Sequence, residues 1–346
     1  MNIWEKVKFI FGTSDKFNEQ ITQLSSGNAP FDFSRSESIS SVYTCIKVLS
    51  DTISRLPVNV YKSDQKKGRL KEKDHYLHTI VHYNPNNYTT SQAFFAALEA
   101  YRNFKGNAFA KIHRNQGSGR IMTLEIVNPD HVVGYNVIEG ELFYKVQVSD
   151  KKTEIIPSSE MLHFRGLSKN GIWGINPIEA LRLNLSSTHQ ALTTIDKFFQ
   201  QGALSPYAMK STVADQAAML EALEKFQKKN AGATQAGKII PLPPNTELQG
   251  LNMNMADAQF INTVKFNADQ IASIYGVPSH LVGNNEASKY SNIEQSQISF
   301  KVNTVSAITR MYRQEMEFKM LTSKERDQGY SIEFNLMAMV ETDHRT

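Results

Sequence analysis

A chain of 346 residues, 40% hydrophobic and 21% charged, is long enough for two or three compact units and has an ordinary globular balance. A net charge of +4 and a pI near 8.9 exclude a polybasic nucleic-acid binder, and no apolar run approaches the roughly 20 residues a membrane span needs. The single cysteine, Cys45, excludes an internal disulfide and a cysteine-based zinc site, fits a reducing compartment, and reads as a small buried apolar side chain.

In chain order, "MNIWEKVKFIFG" puts Ile3, Trp4, Val7, Ile10 and Phe11 on one helical face, interrupted by Glu5, Lys6 and Lys8. That pattern fits a docking helix and not a signal-peptide core. "SVYTCIKVLSDTISRLPVNVY" predicts a helix ending before Pro57 and a strand over Val58–Tyr61. "KSDQKKGRLKEKD" follows as a charged, solvated hairpin or loop. "HYLHTIVH" reads as a short, partly exposed helix. Ser91 to Phe104 predicts a helix burying Phe94, Phe95, Leu98, Tyr101 and the stem of Arg102. Residues 107–165 then alternate and break at "QGSGR", "NPD", "EG" and "SDKK", the pattern of an antiparallel meander.

"NPIEALRLNLSSTHQALTTIDKFFQQG" carries its own start and stop: Asn176 as N-cap, Pro177 in the first turn, Glu179 at the third position, Gly202 at the exit. It predicts one long helix with an apolar row of Ile178, Leu181, Leu185, Leu192, Ile195 and Phe199, in which Thr188 is a gap. A small strand-helix-strand-strand unit follows: "PYAMKS", a helix from about Val213 to Asn230, "KIIPL" and "ELQGL". A second long helix runs from about Met255 to Tyr275, with Ile261, Val264, Ala268, Ile271, Ala272 and Tyr275 on one side. It stops at Gly276 and Pro278, a polar loop follows, and a third helix over roughly Ile293–Leu321 turns Ile298, Val302, Val305, Ile308 and Tyr312 inward.

Few constellations suggest chemistry. "GATQAGKI" matches the G-x-x-x-x-G-K core of a phosphate loop, but a helix precedes it, strand and prolines follow, and Ile239 stands where a hydroxyl would hold magnesium. His75, His78 and His82 share helical spacing without a carboxylate at the offset a metal site would use. His163 falls in a strand as a hydrogen-bonded structural histidine. No G-x-S-x-G, H-E-x-x-H or paired-carboxylate pattern occurs, so no catalytic residue, metal ligand or cofactor is expected.

Seven stretches carry a resemblance in order along the chain: "SVYTCIKVLSDTISRLPVNVY"; "NPNNYTTSQAF" with "GNAFAKIHR"; "VNPDHVV"; "LHFRGLSKNGIWGINPIEAL"; "FFQQGALSPYAM"; "GKIIPL"; and "IASIYGVPSHLVG" before its polar loop. Together they resemble the portal proteins of tailed bacteriophages, the family typified by phage HK97. The resemblance implies an α+β portal fold with a mixed α/β wing, long stem helices, a small inserted α/β clip and assembly into an oligomeric ring, usually a dodecamer. It implies an N-terminal docking segment at 1–30, a wing at 31–175, stem helices at 176–203 and 255–277, a clip at 204–254, a tunnel-loop region at 278–292, and a helix returning to the wing at 293–346. "ETDHRT" ends where family members usually continue into a crown, so a missing or minimal crown is expected.

The implied role is non-enzymatic: a ring at one capsid vertex of the virion, assembled in the host cytoplasm, through which double-stranded DNA is packaged and ejected. Its partners would be further copies of the chain, DNA, the terminase large subunit, the major capsid protein and head-tail connector proteins, with no membrane. Asn284, Asn285, Glu286, Lys289 and Tyr290 then face the lumen, with Lys289 against phosphate, and Lys228, Lys229 and Lys238 are candidate clip contacts for terminase or connector. Mild charge suits a tunnel, since many tight phosphate contacts would resist sliding. Two rival readings are a nucleotide-binding enzyme using Gly232, Gly237 and Lys238, and a monomeric DNA-binding scaffold.

Overall fold

A computed structural model describes residues 40–64, 66, 68–149, 152–200, 207–211, 246–250, 256–283 and 290–339. The expected N-terminal docking helix, the helix over 213–230 and the strand "KIIPL" lie outside these residues. The chain divides into two units, one holding residues up to Arg182 and from Ile271 onward, the other Leu183–Gln270.

In the first unit, α1 (Ser40–Ser54) buries Val42, Cys45, Ile46, Leu49 and Ile53, spaced by three and four residues, and stops ahead of Pro57. Burial pushes the Cys45 thiol up to about 12, so it stays protonated at neutral pH. β1 (Val58–Asp64) and β2 (Gly68–Lys71) form the charged hairpin, with β2 exposed throughout. α2 (Tyr76–His82) starts at His75, whose Nδ1 accepts from the Leu77 amide, while Nε2 lies 3.1 Å from Glu325 Oε1. His78 and His82 stack on one another within the helix, which leaves them structural roles.

α3 (Ser91–Lys105) is capped by Thr90 and closed by Gly106 at φ +77°. Its buried face includes Phe94, Phe95 and Leu98 as expected, but Tyr101 is only half-buried and Glu99 and Asn103 are buried in its place. A polar pair can take that position because each side chain finds a partner inside, described below.

The alternating region forms two sheets instead of one meander. β3 (Asn107–Arg114) lies between β4 (Ile121–Val127) and β8 (Met161–Arg165), while β5 (Val132–Ile138), β6 (Glu141–Ser149) and β7 (Lys152–Pro157) form a separate antiparallel meander. The return of β8 to β3 is a long-range pairing that local alternation does not carry. Phe109, Val132, Tyr144, Val146, Ile156 and Met161 pack together across these strands.

His163 sits at the centre of this core. Its Nε2 donates to Asn107 Oδ1 at 2.9 Å and its Nδ1 lies 3.0 Å from the Tyr144 hydroxyl, so the neutral ring is fully satisfied. Burial, with Arg165 and Lys319 nearby, holds its pKa well below the usual histidine value. The unfolded chain therefore takes up a proton below about pH 6.5 that the native state refuses, and stability falls on acidification with a slope of up to about 1.4 kcal/mol per pH unit. His78, lowered by burial and by His82 and neighbouring lysines, adds with the same sign. Urea titrations between pH 5 and 7 check this: His163→Gln is expected to flatten the slope, and an unchanged slope would refute the assignment.

α4 (Pro177–Ala180) begins at Asn176, whose Oδ1 accepts from the Ile178 amide at 2.9 Å. The single long helix expected from here is interrupted at Leu181, and α5 (Arg182–Gln200) continues into the second unit. Thr188 is buried, its hydroxyl donating to the Asn184 carbonyl, so the expected gap is part of the buried row, while Leu192 is exposed. The second unit also contains β9 (Tyr207–Ser211) paired antiparallel with β10 (Thr246–Gly250), and most of α6 (Ala256–Tyr275). Asn267 Nδ2 donates to Ser187 Oγ at 2.9 Å and ties α6 to α5 within that unit.

Back in the first unit, α7 (Tyr290–Ser299), a π-helical turn at Phe300–Val305 and α8 (Ser306–Met320) run on without a break. The short α9 (Ser323–Asp327) leads to β11 (Tyr330–Phe334), which pairs with β1 from Val58↔Phe334 to Lys62↔Tyr330. This closing strand is not anticipated from the sequence. Ile298 and Val302, expected inward, are exposed, and Phe300 is buried, because the π turn shifts the helical phase.

Candidate functional site

The segment that stands out is the end of α6 and what it holds. The Val277 amide donates to the Ala272 carbonyl at 2.9 Å and the Gly276 amide to Ser273 at 3.1 Å, a Schellman stop with Gly276 at φ +64°. Pro278 prevents continuation, a 3-10 turn spans Ser279–Val282, and Gly283 leaves it at φ +92°. The chain re-enters the described residues at Tyr290 as α7.

The end of α6 is tied to the π turn. Thr304 Oγ1 donates to the Gly276 carbonyl at 2.8 Å, and a Cβ on residue 276 would stand 2.8 Å from that same hydroxyl oxygen. Glycine is thus required twice, for its dihedral angle and for the approach of Thr304.

Beneath lies a buried charged network. Glu99 accepts from Arg102 Nη2 at 2.5 Å and Nε at 2.9 Å, from Asn103 Nδ2 at 2.8 Å, and from the Tyr312 hydroxyl at 3.1 Å. The Tyr275 hydroxyl donates to the Asn103 carbonyl at 3.3 Å, which joins the last turn of α6 to α3. Burial would lower the Arg102 pKa, but the adjoining Glu99 carboxylate outweighs it and the guanidinium is held above its ordinary value. Burial likewise pushes the Tyr275 and Tyr312 phenols up. Tyr312 stacks on Phe164 with centroids 4.2 Å apart. One turn on, Glu315 accepts from the His163 amide at 2.9 Å, pairs with Lys319 and approaches Arg165 at 3.4 Å. α3, β8 and α8 are therefore locked into one support.

Of the sequence-nominated residues, Asn284, Asn285, Glu286 and Lys289 lie outside the described residues, as do Lys228, Lys229, Lys238, Gly232 and Gly237. Tyr290 opens α7, its side chain not among those described. Glu99, Glu315, Thr304 and the π turn are missed by sequence reasoning. The i,i+3 spacing of Glu99 and Arg102 on an otherwise apolar face is the available signal.

Among the described residues no group of three or more His, Cys, Asp or Glu could hold a metal ion, and no helix is long and apolar enough to cross a membrane. What the described helices offer is apolar surface. Leu183 on α5 is 84% exposed, and Phe266 and Ile274 on α6 are 61% and 47% exposed.

A family profile described as phage portal protein matches residues 40–346. The portal protein of Enterobacteria phage HK97 is 27% identical over 307 residues, covering 86% of this chain and 71% of the relative. The fold is similar to the crystal structure of an HK97-family phage portal protein from Corynebacterium diphtheriae, with a TM-score of 0.63, 14% identity, and coverage of 91% of this chain and 98% of the other. It is also similar to a chain from the neck of a native gene transfer agent particle computed with twelve-fold symmetry, with a TM-score of 0.59, 16% identity, and coverage of 91% and 88%.

Proposed function

The chain belongs to the phage portal protein family, and from that premise we propose that twelve copies close into a ring forming the DNA channel at one capsid vertex. Portal proteins are a structural class, and this chain conducts double-stranded DNA during packaging and ejection without chemistry of its own. Residues 31–175 form the wing with the helix returning over 293–346, α5 and α6 lie in the stem (176–203 and 255–277), and 204–254 form the clip.

The loop region 278–292 lines the lumen, with Asn284, Asn285, Glu286, Lys289 and Tyr290 toward DNA. Lys228, Lys229 and Lys238 of the clip face the terminase large subunit during packaging and connector proteins afterwards, and the wing meets the major capsid protein.

The observation that carries this reading is the exposed apolar surface of the long helices at Leu183, Phe266 and Ile274. Ring closure by a repeated heterologous contact covers such surface on every subunit at once. The twelve-fold symmetry applied to the neck of the gene transfer agent particle supports the same number here. The net charge of +4 is small, which suits DNA that slides.

Sedimentation velocity tests the contact. The double variant Phe266→Asp, Ile274→Asp is expected to sediment as a monomer with unchanged circular dichroism, under conditions where wild type forms rings. A variant that still assembles would remove these side chains from the interface.

A further inference from the structure

The π turn at Phe300–Val305 is bracketed by two different hydrophobic patterns. From Val305, the last residue of the turn, through α8 the buried face is Val305, Ile308, Thr309, Tyr312, Met316 and Met320. Carried backward at about 100° per residue, an α-helix would set Ile298 and Val302 within about 60° of Val305 and swing Phe300 about 140° away. The structure has the opposite arrangement: Phe300 is 6% exposed, whereas Ile298 and Val302 are 58% and 61% exposed. The wider turn, in which the Ser306 amide donates to the Lys301 carbonyl five residues back, is what brings Phe300 onto the buried face.

The sequence thus holds two apolar rows for one groove, and only one is seated. Its two sides are also anchored unequally. α8 is fixed by Tyr312, Glu315 and Lys319, whereas Glu294, Gln295, Gln297, Ile298 and Ser299 of α7 are exposed. Between them, Thr304 is tied to Gly276.

We propose that Phe300–Val305 is a register switch: conversion of the π turn to α-helix exchanges Phe300 for Val302 and Ile298 in the groove, turning α7 by about 100° and shifting it by about 1.5 Å against a stationary α8. The Thr304–Gly276 bond holds the π register. The two registers are a property of the chain alone and do not depend on the portal reading.

Double electron–electron resonance tests it on the full chain, with labels at Q295C on α7 and D327C on α9, both exposed positions, while buried Cys45 stays unlabelled. Labelled subunits are diluted with unlabelled ones. Deleting Asn303 removes the extra residue of the π turn, leaves Phe300 four residues from Val305 and so still on the buried face, and is expected to hold the wild-type distance alone. In the full-length chain, Phe300→Gln and Thr304→Val are expected to raise a second distance, absent from the deletion variant, at least tenfold over wild type, and Val302→Gln to remove it.

Should the deletion fail to fold, Phe300→Gln and Thr304→Val must still share one new distance. The switch is overturned if folded Phe300→Gln and Thr304→Val both keep the wild-type distribution, if the deletion variant itself gives a new distance, or if changing Val302 alters only assembly, which would make its exposure a subunit contact. Neither result bears on whether the chain forms rings, which sedimentation reads separately.

Discussion

Replacing Glu99 by alanine is expected to cost about 3–5 kcal/mol of folding stability. Glu99 is fully buried and is the counter-charge of Arg102, which is itself mostly buried. Its removal leaves a guanidinium in the interior without its counter-charge together with an unsatisfied Tyr312 hydroxyl, while Asn103 Nδ2 keeps only its bond to the backbone carbonyl of residue 99. The desolvation of Arg102 persists while its partner is gone, so the loss exceeds what any single hydrogen bond contributes. Glu99→Gln keeps the shape and removes only the charge, and should still lose more than half of the effect. Replacing the pair together, Glu99→Leu with Arg102→Met, should recover much of it, because apolar packing then substitutes for a paired charge. Urea unfolding of the three variants against wild type measures the series. A Glu99→Ala loss below about 1 kcal/mol, the range of exposed pairs, would contradict the buried network.

Gly106→Ala is expected to cost at least about 4 kcal/mol or to abolish folding. Gly106 sits at φ +77°, and a Cβ there would lie 2.2 Å from the Ile175 carbonyl oxygen, a backbone atom that cannot swing away. The contact is reciprocal, since a Cβ on Gly174 would meet the Gly106 carbonyl oxygen at 2.0 Å. Here the exit of α3 touches the strip leading to Asn176, where Asn107 bonds both the amide and the carbonyl of Gly174. Gly140 provides the comparison: its φ is +82° but open space surrounds it. Gly140→Ala should lose only the left-handed penalty of about 1–2 kcal/mol. Thermal unfolding of both variants isolates the clash, and equal losses would remove it.

Features written in local chemistry are legible in the amino-acid sequence. Pro57 ends α1, Asn176 with Pro177 opens α4, and Gly276 with Pro278 stops α6 at Tyr275. Each is a residue whose backbone preference acts within one turn. The pairing of β8 with β3 and of β11 with β1 is not legible, because partners separated by most of a domain leave no mark on local periodicity. The third helix shows a subtler failure. A constant period of 3.6 residues places Ile298 and Val302 inward, and one wide turn reverses them in favour of Phe300. Buried Glu99 and Glu315 are invisible for a related reason: a carboxylate is read as solvated until its cationic and hydroxyl partners converge from other elements. The candidate loop is legible as a break between two helices, and its supports at Thr304 and Tyr275 only from the fold.

Electron microscopy of the purified full chain is the decisive measurement for the proposed ring. Closed rings of twelve subunits around an open channel are expected, with the exposed faces of α5 and α6 covered by neighbours and residues 283–292 on the channel wall. Particles that remain single subunits at every concentration and salt, or rings in which residues 283–292 lie buried between domains away from the channel, would contradict it.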